Sequence, residues 1–485
     1  MALASLELLT TFRRRLALAE QAWREVALLD IRHMNTHTTR RRFLRNSTLG
    51  GAGLLVLANS RLAFTAEAND RLNLAAIGAG GQARADLDQM PADAVNMVAL
   101  CDVDQTRAGD TYQKYPQAKR YTDFRRMLDE MAKEIDAVLV GTPDHTHAVA
   151  AVAAMERGKA VYCEKPLTRT VHEARVMRET ALRTKVATQM GNQGSATGGL
   201  RRAVELAWGG VLGEIREAHV WFDGGNGPLE RPNDTPPVPP ILDWDLWLGP
   251  AEFRPYSPSY LPASWRAWRA FGSGIVGDFG CHTGNLMFRA LHLERLWNFP
   301  AGQKPERVII RAESHPSEVN AEGYPRSSRT FLDLPARGDL PPVKLSISAK
   351  ERPSPDLMLG YPQAGWGDLL VGAKGSIYSD CPWNTHFVLL PESKFENFKG
   401  GPPEGLPRVG SHHAEWVEAC KGRGKTFSPF ELGGPLTELM QLTNLASLIM
   451  GPLEYDTISG RILNSERANE LLHRQYRPGW SLGKA

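Results

Sequence analysis

The sequence predicts an α/β protein whose first folded part is a doubly wound parallel sheet. Three observations predict it. Short apolar runs read as buried strands at Leu72–Ile77, Val98–Cys101, Ile135–Val140 and Ala160–Cys163. Helical stretches alternate with these runs, and such alternation calls for parallel strands joined by crossovers. A glycine-rich turn joins the first strand to the first helix.

The first strand runs straight into Gly78-Ala79-Gly80-Gly81-Gln82-Ala83, and Arg84 to Met90 opens a helix. This is G-x-G-x-x-A in a strand–turn–helix context. Gly78 allows the tight turn, Gly80 lets the backbone approach a pyrophosphate, and Ala83 permits close helix–strand packing. Gly81 lies in the same loop, and the helix N-terminus offers free N–H groups and a positive dipole end to phosphate. The second strand ends at Asp102, 24 residues after Gly78. An acid there is placed to accept a ribose 2′-hydroxyl and to repel a 2′-phosphate, which favours NAD over NADP. The plainer alternative is that Asp102 caps the next helix.

The third strand ends at Gly141-Thr142-Pro143-Asp144-His145-Thr146-His147, and a helix over Ala148–Arg157 closes at Gly158. The fourth ends at Glu164-Lys165-Pro166. Ligands of such sheets bind at the carboxyl ends of strands. Thr142, Pro143, His147, Glu164 and Lys165 therefore join Gly78, Gly80, Gly81 and Asp102 as candidate cofactor contacts. Asp144 and His147 serve equally well as a helix cap and a packing residue. A further strand, Val186–Met190, leads into Gly191-Asn192-Gln193-Gly194-Ser195, where Asn192 and Gln193 either contact ligand or satisfy backbone groups.

These pieces, together with Gly272-Ser273-Gly274-Ile275-Val276-Gly277-Asp278-Phe279-Gly280-Cys281-His282 and the segment Ser411–Cys420, resemble the Gfo/Idh/MocA oxidoreductase family. The resemblance runs from about Leu72 to Ile449. It implies an N-terminal Rossmann domain and a C-terminal α/β domain with a large, mostly antiparallel sheet that often mediates homo-oligomers. It implies reversible hydride transfer between a sugar or polyol carbon and a nicotinamide. Carried onto this sequence, the family's functional residues are Lys165, Asp278 and His282. Two departures stand out: Ser273 replaces a glycine, and the position often filled by an acid after the histidine holds Gly284 or Asn285.

Those three residue types suit the chemistry. Oxidising a secondary alcohol requires a base for the hydroxyl proton, and an imidazole titrates near neutral pH. Asp278 lies four residues before His282, on one face if the segment is helical. Lys165 can donate to the substrate oxygen and stabilise alkoxide charge. Pro166 rigidifies the backbone after it. Taken singly, each has a plainer reading: a structural histidine, a solvated lysine, a helix-capping aspartate. Trp244, Trp247, Trp265 and Trp268 read first as core packing, although aromatics near a sugar site also stack on sugar rings. Arg266 and Arg269 are either substrate contacts or ion-pair partners.

The rest of the chain sets bounds. Gly224–Pro240 is too rich in glycine and proline for a regular element, while Arg307–Ala312, Val343–Ala349 and Phe387–Leu390 read as strands. The stretches His412–Lys421 and Pro435–Met450 read as helices. Residues 1–68 form a leader. Thr39-Arg40-Arg41-Arg42-Phe43-Leu44-Arg45, a weakly apolar stretch and Ala66-Glu67-Ala68 make a twin-arginine signal, so export to the periplasm or another extracytoplasmic space is expected. Met34 is the natural start of that signal, leaving 1–33 outside it. The leader holds ten arginines, no lysine and five acids, so the remainder carries 47 basic against 49 acidic residues. That near-neutral body excludes a nucleic-acid footprint. No transmembrane span is expected after the leader. Five scattered cysteines without C-x-x-C spacing read as buried thiols, and no metal site is expected. The folded parts are 69–190 for the nucleotide and 191–485 for substrate and assembly.

Three functions stay open at this level. One is an NAD-dependent oxidoreductase acting on a carbohydrate or polyol. Another is a glycosidase that oxidises its sugar transiently and recycles a tightly held NAD. The last is a non-catalytic binding protein.

Overall fold

The computed structural model describes residues 70–300 and 302–483. The leader, with its twin-arginine segment and Met34, lies outside the described residues.

The first half is the expected parallel sheet. It contains β1 (Leu72–Ile77), α1 (Gln82–Gln89), β2 (Val95–Cys101), α2 (Gln105–Lys114), β3 (Lys119–Tyr121), α3 (Phe124–Glu130), β4 (Ala137–Val140), α4 (Asp144–Glu156), β5 (Ala160–Cys163), α5 (Val171–Thr184) and β6 (Thr188–Met190). The strand order is β3-β2-β1-β4-β5-β6, and every pairing is parallel. Strands covered on both faces must be apolar throughout. The central β4 and β5 meet that rule, since every residue in them is buried.

Several elements escaped the sequence reading because polar residues dominate them. α2 is mostly polar and rests on its cap, the Asp104 carboxylate accepting from the N–H groups of Thr106 and Arg107. α5 starts with a capping box between Thr170 and Glu173. α4 begins at Asp144, four residues earlier than expected, because Pro143 presets the backbone and an acid in the first turn suits the helix dipole.

The second half holds α6 (Gly198–Trp208), β7 (Ile215–Phe222), α7 (Trp244–Leu248), α8 (Gly274–Thr283), α9 (Asn285–Ala290), β8 (Ile309–Pro316), β9 (Ser328–Leu334), β10 (Val343–Ala349), β11 (Gly367–Gly372), β12 (Gly375–Ser379), β13 (Val388–Leu390), α10 (Glu392–Phe395), α11 (His412–Cys420), α12 (Phe430–Ala446), β14 (Leu453–Asp456), β15 (Arg461–Ile462) and α13 (Glu466–Leu472). Nine strands form one sheet in the order β13-β12-β11-β7-β10-β9-β8-β14-β15. Only β7 and β10 pair in parallel; all other neighbours are antiparallel. The stretch 224–240 contains no helix or strand beyond a lone bridge from Gly227 to Tyr324.

One helix ties the halves together. α12 starts a turn before the expected Pro435 and is buried on all sides but for Glu431 and Leu432. It packs on α5 of the first half and on α8 and β8 of the second. Its small residues allow this: a Cβ on Gly433 would lie 3.1 Å from Met190 Cβ, and one on Gly434 3.0 Å from Arg178 Cβ. Among the described residues, no helix is long and apolar enough to cross a membrane.

Candidate active site

The glycine loop is shaped from both sides. Gly78 has φ +90°, and a Cβ there would meet the Gly141 carbonyl carbon at 2.9 Å. Gly80 is small for a reason the sequence did not reveal: a Cβ would lie 2.7 Å from the Arg107 carbonyl oxygen, so α2 presses on the loop. Ala83 packs against the chain leaving β4, where a Cβ on Gly141 would lie 2.6 Å from Ala83 Cβ. The α1 N-cap, Gly81, provides no side-chain cap, so the first N–H groups of the helix stay free for an anion.

Asp102 is tied into this loop. Its Oδ2 accepts from Ala79 N at 2.7 Å and its Oδ1 from Asp104 N at 2.9 Å. Burial raises its pKa, and these two bonds oppose the rise. It does not cap α2, which is the work of Asp104.

Other strand-end residues brace the loops. The two ring nitrogens of His147 face the carbonyl oxygens of Pro166 (2.9 Å) and Thr142 (2.7 Å). Burial pushes its pKa down to about 4, so the neutral ring donates to only one of them. His147 thus joins the Thr142-Pro143 turn to Lys165-Pro166 and keeps no ring nitrogen free for a ligand. Thr142 Oγ1 accepts from Thr146 Oγ1 at 2.7 Å. Glu164 also turns inward: its Oε1 accepts from Gln193 Nε2 at 2.9 Å and its Oε2 from Lys165 N at 3.3 Å.

The three residues assigned to the chemistry converge. Lys165 Nζ donates to Asp278 Oδ1 at 2.5 Å, bridging the end of β5 and the middle of α8. Asp278 and His282 are both on α8, and the N-cap is Ser273, so Asp278 is no helix cap. Arg266 Nε approaches Asp278 Oδ2 at 3.5 Å. Burial pushes the Asp278 carboxyl up, but the Lys165 and Arg266 charges outweigh it and hold the pKa at about 2. Burial drives the His282 pKa well below its ordinary value; the Lys165 charge adds to this and Asp278 opposes it. The site therefore pairs an anionic carboxylate with a neutral imidazole. The His282 ring tilts against Phe279 and Trp383, each 6.2 Å away between centroids, and its Nδ1 is buried without a partner. Lys165 Nζ lies 5.6 Å from the Phe279 ring centroid.

Beside this site sits a buried carboxyl cluster that sequence reasoning missed, because nothing in the spacing of Asp86 distinguishes it. Asp86 Oδ1 lies 3.2 Å from Gln193 Nε2, 3.2 Å from Gln82 Nε2 and 3.1 Å from His413 Nε2. Gln193 also donates to Glu164 and approaches Tyr162 Oη at 3.2 Å. Two carboxyls in so dry a place do not both ionise, and burial raises both, Asp86 to about 7. A carboxyl with a raised folded pKa contributes stability below its unfolded value, lost as pH rises through the folded value. Asp86→Asn is therefore expected to flatten the fall in unfolding free energy between about pH 4 and pH 7. Urea unfolding at several pH values checks this, and an unchanged slope would refute it.

The remaining candidates are structural. Asn192 is buried and donates to the Cys281 carbonyl at 3.1 Å. Trp244, Trp247, Trp265 and Trp268 belong to one buried cluster with Tyr260 and Phe271. Arg269 donates to the Asn320 and Ala321 carbonyls. All five cysteines are free; Cys101, Cys163 and Cys281 are buried, while Cys381 and Cys420 are partly exposed. Among the described residues no His, Cys, Asp or Glu group has the geometry of a metal site.

Residues 72–192 match the Gfo/Idh/MocA profile described as "Oxidoreductase family, NAD-binding Rossmann fold". Residues 227–287 match that described as "Oxidoreductase family, C-terminal alpha/beta domain". The chain is 38% identical over 77 residues to inositol 2-dehydrogenase of Salmonella paratyphi B, covering 16% of this chain and 22% of that one. It is 24% identical over 184 residues to levoglucosan dehydrogenase of Pseudarthrobacter phenanthrenivorans, covering 38% and 39%. The matches thus span about a fifth and two fifths of those relatives' lengths. Among solved structures, an NAD-binding oxidoreductase from Klebsiella pneumoniae shares the fold with TM-score 0.51 at 20% identity, over 79% of this chain and 99% of that one. The WlbA dehydrogenase of Bordetella pertussis, solved with NADH and UDP-GlcNAcA, does so with TM-score 0.51 at 14% identity, over 78% and 96%.

Proposed function

We propose that the protein is a nicotinamide-dependent oxidoreductase that moves a hydride between a secondary alcohol of a sugar or cyclitol and NAD. The observation that carries this reading is the Lys165–Asp278 contact of 2.5 Å with His282 one helical turn further on, at the carboxyl edge of the parallel sheet. The uncapped N-terminus of α1 and the tight glycine loop fit a dinucleotide diphosphate. Gly78, Gly80, Gly81, Thr142 and Pro143 would line it, and the Asp102 carboxylate at the end of β2 would face its ribose. When bound, the nicotinamide ring supplies the hydride acceptor or donor.

The chain's own residues handle the proton and the charge. Neutral His282 accepts the hydroxyl proton as the alcohol is oxidised. Lys165 donates to the same oxygen and stabilises the alkoxide charge that develops there. Asp278 holds the Lys165 ammonium in place, and its charge favours the imidazolium. Phe279 and Trp383 wall the imidazole and keep water from it.

Cofactor choice follows from Asp102, whose charge disfavours a 2′-phosphate. Titration by protein fluorescence is expected to show NAD binding at least about tenfold tighter than NADP; equal affinities would remove Asp102 from this role. Export through the twin-arginine signal belongs to the same proposal, because that route carries folded proteins already loaded with cofactor. The decisive experiment is mass spectrometry of ligand released from purified protein, followed by NADH formation on a panel of sugars and cyclitols. Release of an aglycone without net NADH would favour a recycled cofactor. Absence of both nucleotide and turnover would sink the proposal.

A further inference from the structure

We propose that the face of α8 flanked by Trp366 and Trp383 is a two-ring subsite, and that the substrate is a glycoside whose second ring lies against Trp366. The inference rests on the oxidoreductase reading for the reacting ring and on separate residues for the second one.

The spacing on α8 lays this surface out. Ile275, Phe279 and His282 stand at i, i+4 and i+7, so they share one face of the helix, about 10 Å long at about 1.5 Å per residue. The chemistry occupies its C-terminal end, where His282 stands and where Lys165 Nζ is tied to Asp278. Trp383 borders that end, its ring 6.2 Å from the His282 ring. Trp366 borders the other end. Its ring lies 4.6 Å from Phe279, tilted by 52°. The loop after β7 touches it together with Ile275, since a Cβ on Gly224 would lie 2.9 Å from Ile275 Cδ1 and 3.8 Å from Trp366 Cη2.

Both tryptophans are fixed by the chain around them. Trp383 is on the loop between β12 and β13, which presses on the segment between β6 and α6. A Cβ on Gly194 would run into the Trp383 carbonyl oxygen, and one on Gly199 into that of Thr385. Ser379 Oγ donates to His386 O at 2.8 Å and closes the base of the loop. Trp366 directly precedes β11, and Phe222 at the end of β7 meets its ring edge-on at 5.9 Å.

Neither ring is sealed off. Ile275, Phe279, Trp366 and Trp383 are all partly exposed, as are Lys165 and Asp278. Trp244, Trp247, Trp265 and Trp268, by contrast, are each only 5% or 6% exposed. Apolar rings held open to water beside reacting groups mark a ligand surface. A sugar ring suits it, because its C–H face covers an aromatic ring while its hydroxyls point outward. One ring set on Lys165 and His282 leaves the Trp366 end of the face uncovered, and a second ring bonded to the first reaches it. Asp223 supplies a polar rim there. It is about half exposed, its Oδ2 would lie 3.0 Å from a Cβ on Gly365, and Lys350 at 3.5 Å and Arg352 at 3.9 Å balance its charge. Hydroxyls of the second ring can donate to it.

Calorimetric titration of the NAD-loaded protein with glucose, galactose and their phenyl α- and β-glycosides tests this. At least one glycoside is expected to bind at least about tenfold tighter than its parent sugar. Trp366→Leu keeps apolar bulk against Phe279 but removes the flat ring, and is expected to cut that ratio to about threefold or less, whereas Trp366→Phe keeps most of it. Parent sugars that bind as tightly as every glycoside, a ratio unchanged in Trp366→Leu, or no binding of any of these ligands would each overturn the inference. Failure of the wider reading looks different: NAD would not bind, or would bind without hydride transfer, while the phenyl glycosides would still bind and would still lose affinity in Trp366→Leu.

Discussion

Lys165→Met is expected to lower kcat by about 10²–10³, about 3–4 kcal/mol of transition-state stabilisation, with a smaller change in KM. The lysine ends β5 where it can meet negative charge on the reacting oxygen, and its Nζ is fixed by Asp278 at 2.5 Å. Methionine keeps much of the packing against Phe279 while removing the donor. The change has a second signature. Asp278 is ionised with a pKa of about 2 because the Lys165 and Arg266 charges outweigh its burial. A depressed carboxyl contributes stability above its unfolded value that is lost as pH falls through the folded one. Without Lys165 the Asp278 pKa rises, so this contribution shrinks and acid unfolding begins at higher pH. Initial rates of NADH formation and acid-unfolding curves check both effects. Undiminished turnover would remove Lys165 from the chemistry.

His282→Asn is expected to reduce kcat by about 10²–10⁴, the range general-base catalysis contributes. The variant keeps a small polar side chain on α8 but removes the proton acceptor. The wild-type pH profile carries a more specific prediction. Burial and the Lys165 charge put the His282 pKa well below its ordinary value, so kcat/KM should show no acidic limb near pH 6.5 from this ring. The limb belongs well below that, where the imidazole protonates. A limb near 6.5 that vanishes in His282→Asn would show a different environment for the ring.

Much of this was legible in the sequence, and the reasons differ by element. β1, β5 and β10 stand out because their apolar runs are short, complete and bounded by turn residues, and their ends fall where expected. Lys165, Asp278 and His282 were singled out by the resemblance to a known family, whereas spacing alone put Lys165 at a strand end and Asp278 four residues before His282; the fold brings Lys165 and Asp278 into contact. α2 was hidden because its stability comes from the Asp104 cap rather than from an apolar stripe. The α12 start was hidden because proline usually opens a helix, whereas Pro435 sits inside this one. The inward roles of Glu164, Gln193 and His147 were out of reach for another reason. Spacing puts a residue at a strand end but does not say which way its side chain turns. The buried meeting of Asp86 with His413, 327 positions apart, is a product of tertiary packing alone.

The seam along α12 carries a consequence for how this chain can be cut. Glu438 pairs with Arg175 of α5, Gln441 donates to the Thr168 carbonyl, and Asn444 donates to the carbonyl of Ser273, next to α8. A Cβ on Gly280 would lie only 2.4 Å from Met440 Sδ. One rod near the end of the sequence thus serves as a common wall for both cores. The nucleotide half is not a detachable cassette, because a fragment ending at β6 would lose the partner of α5 and bare an apolar flank to water. The helix over Phe430–Ala446 is as much a part of the dinucleotide half as the glycine loop that opens it, and a ribosome must have made it before either core can be fully covered.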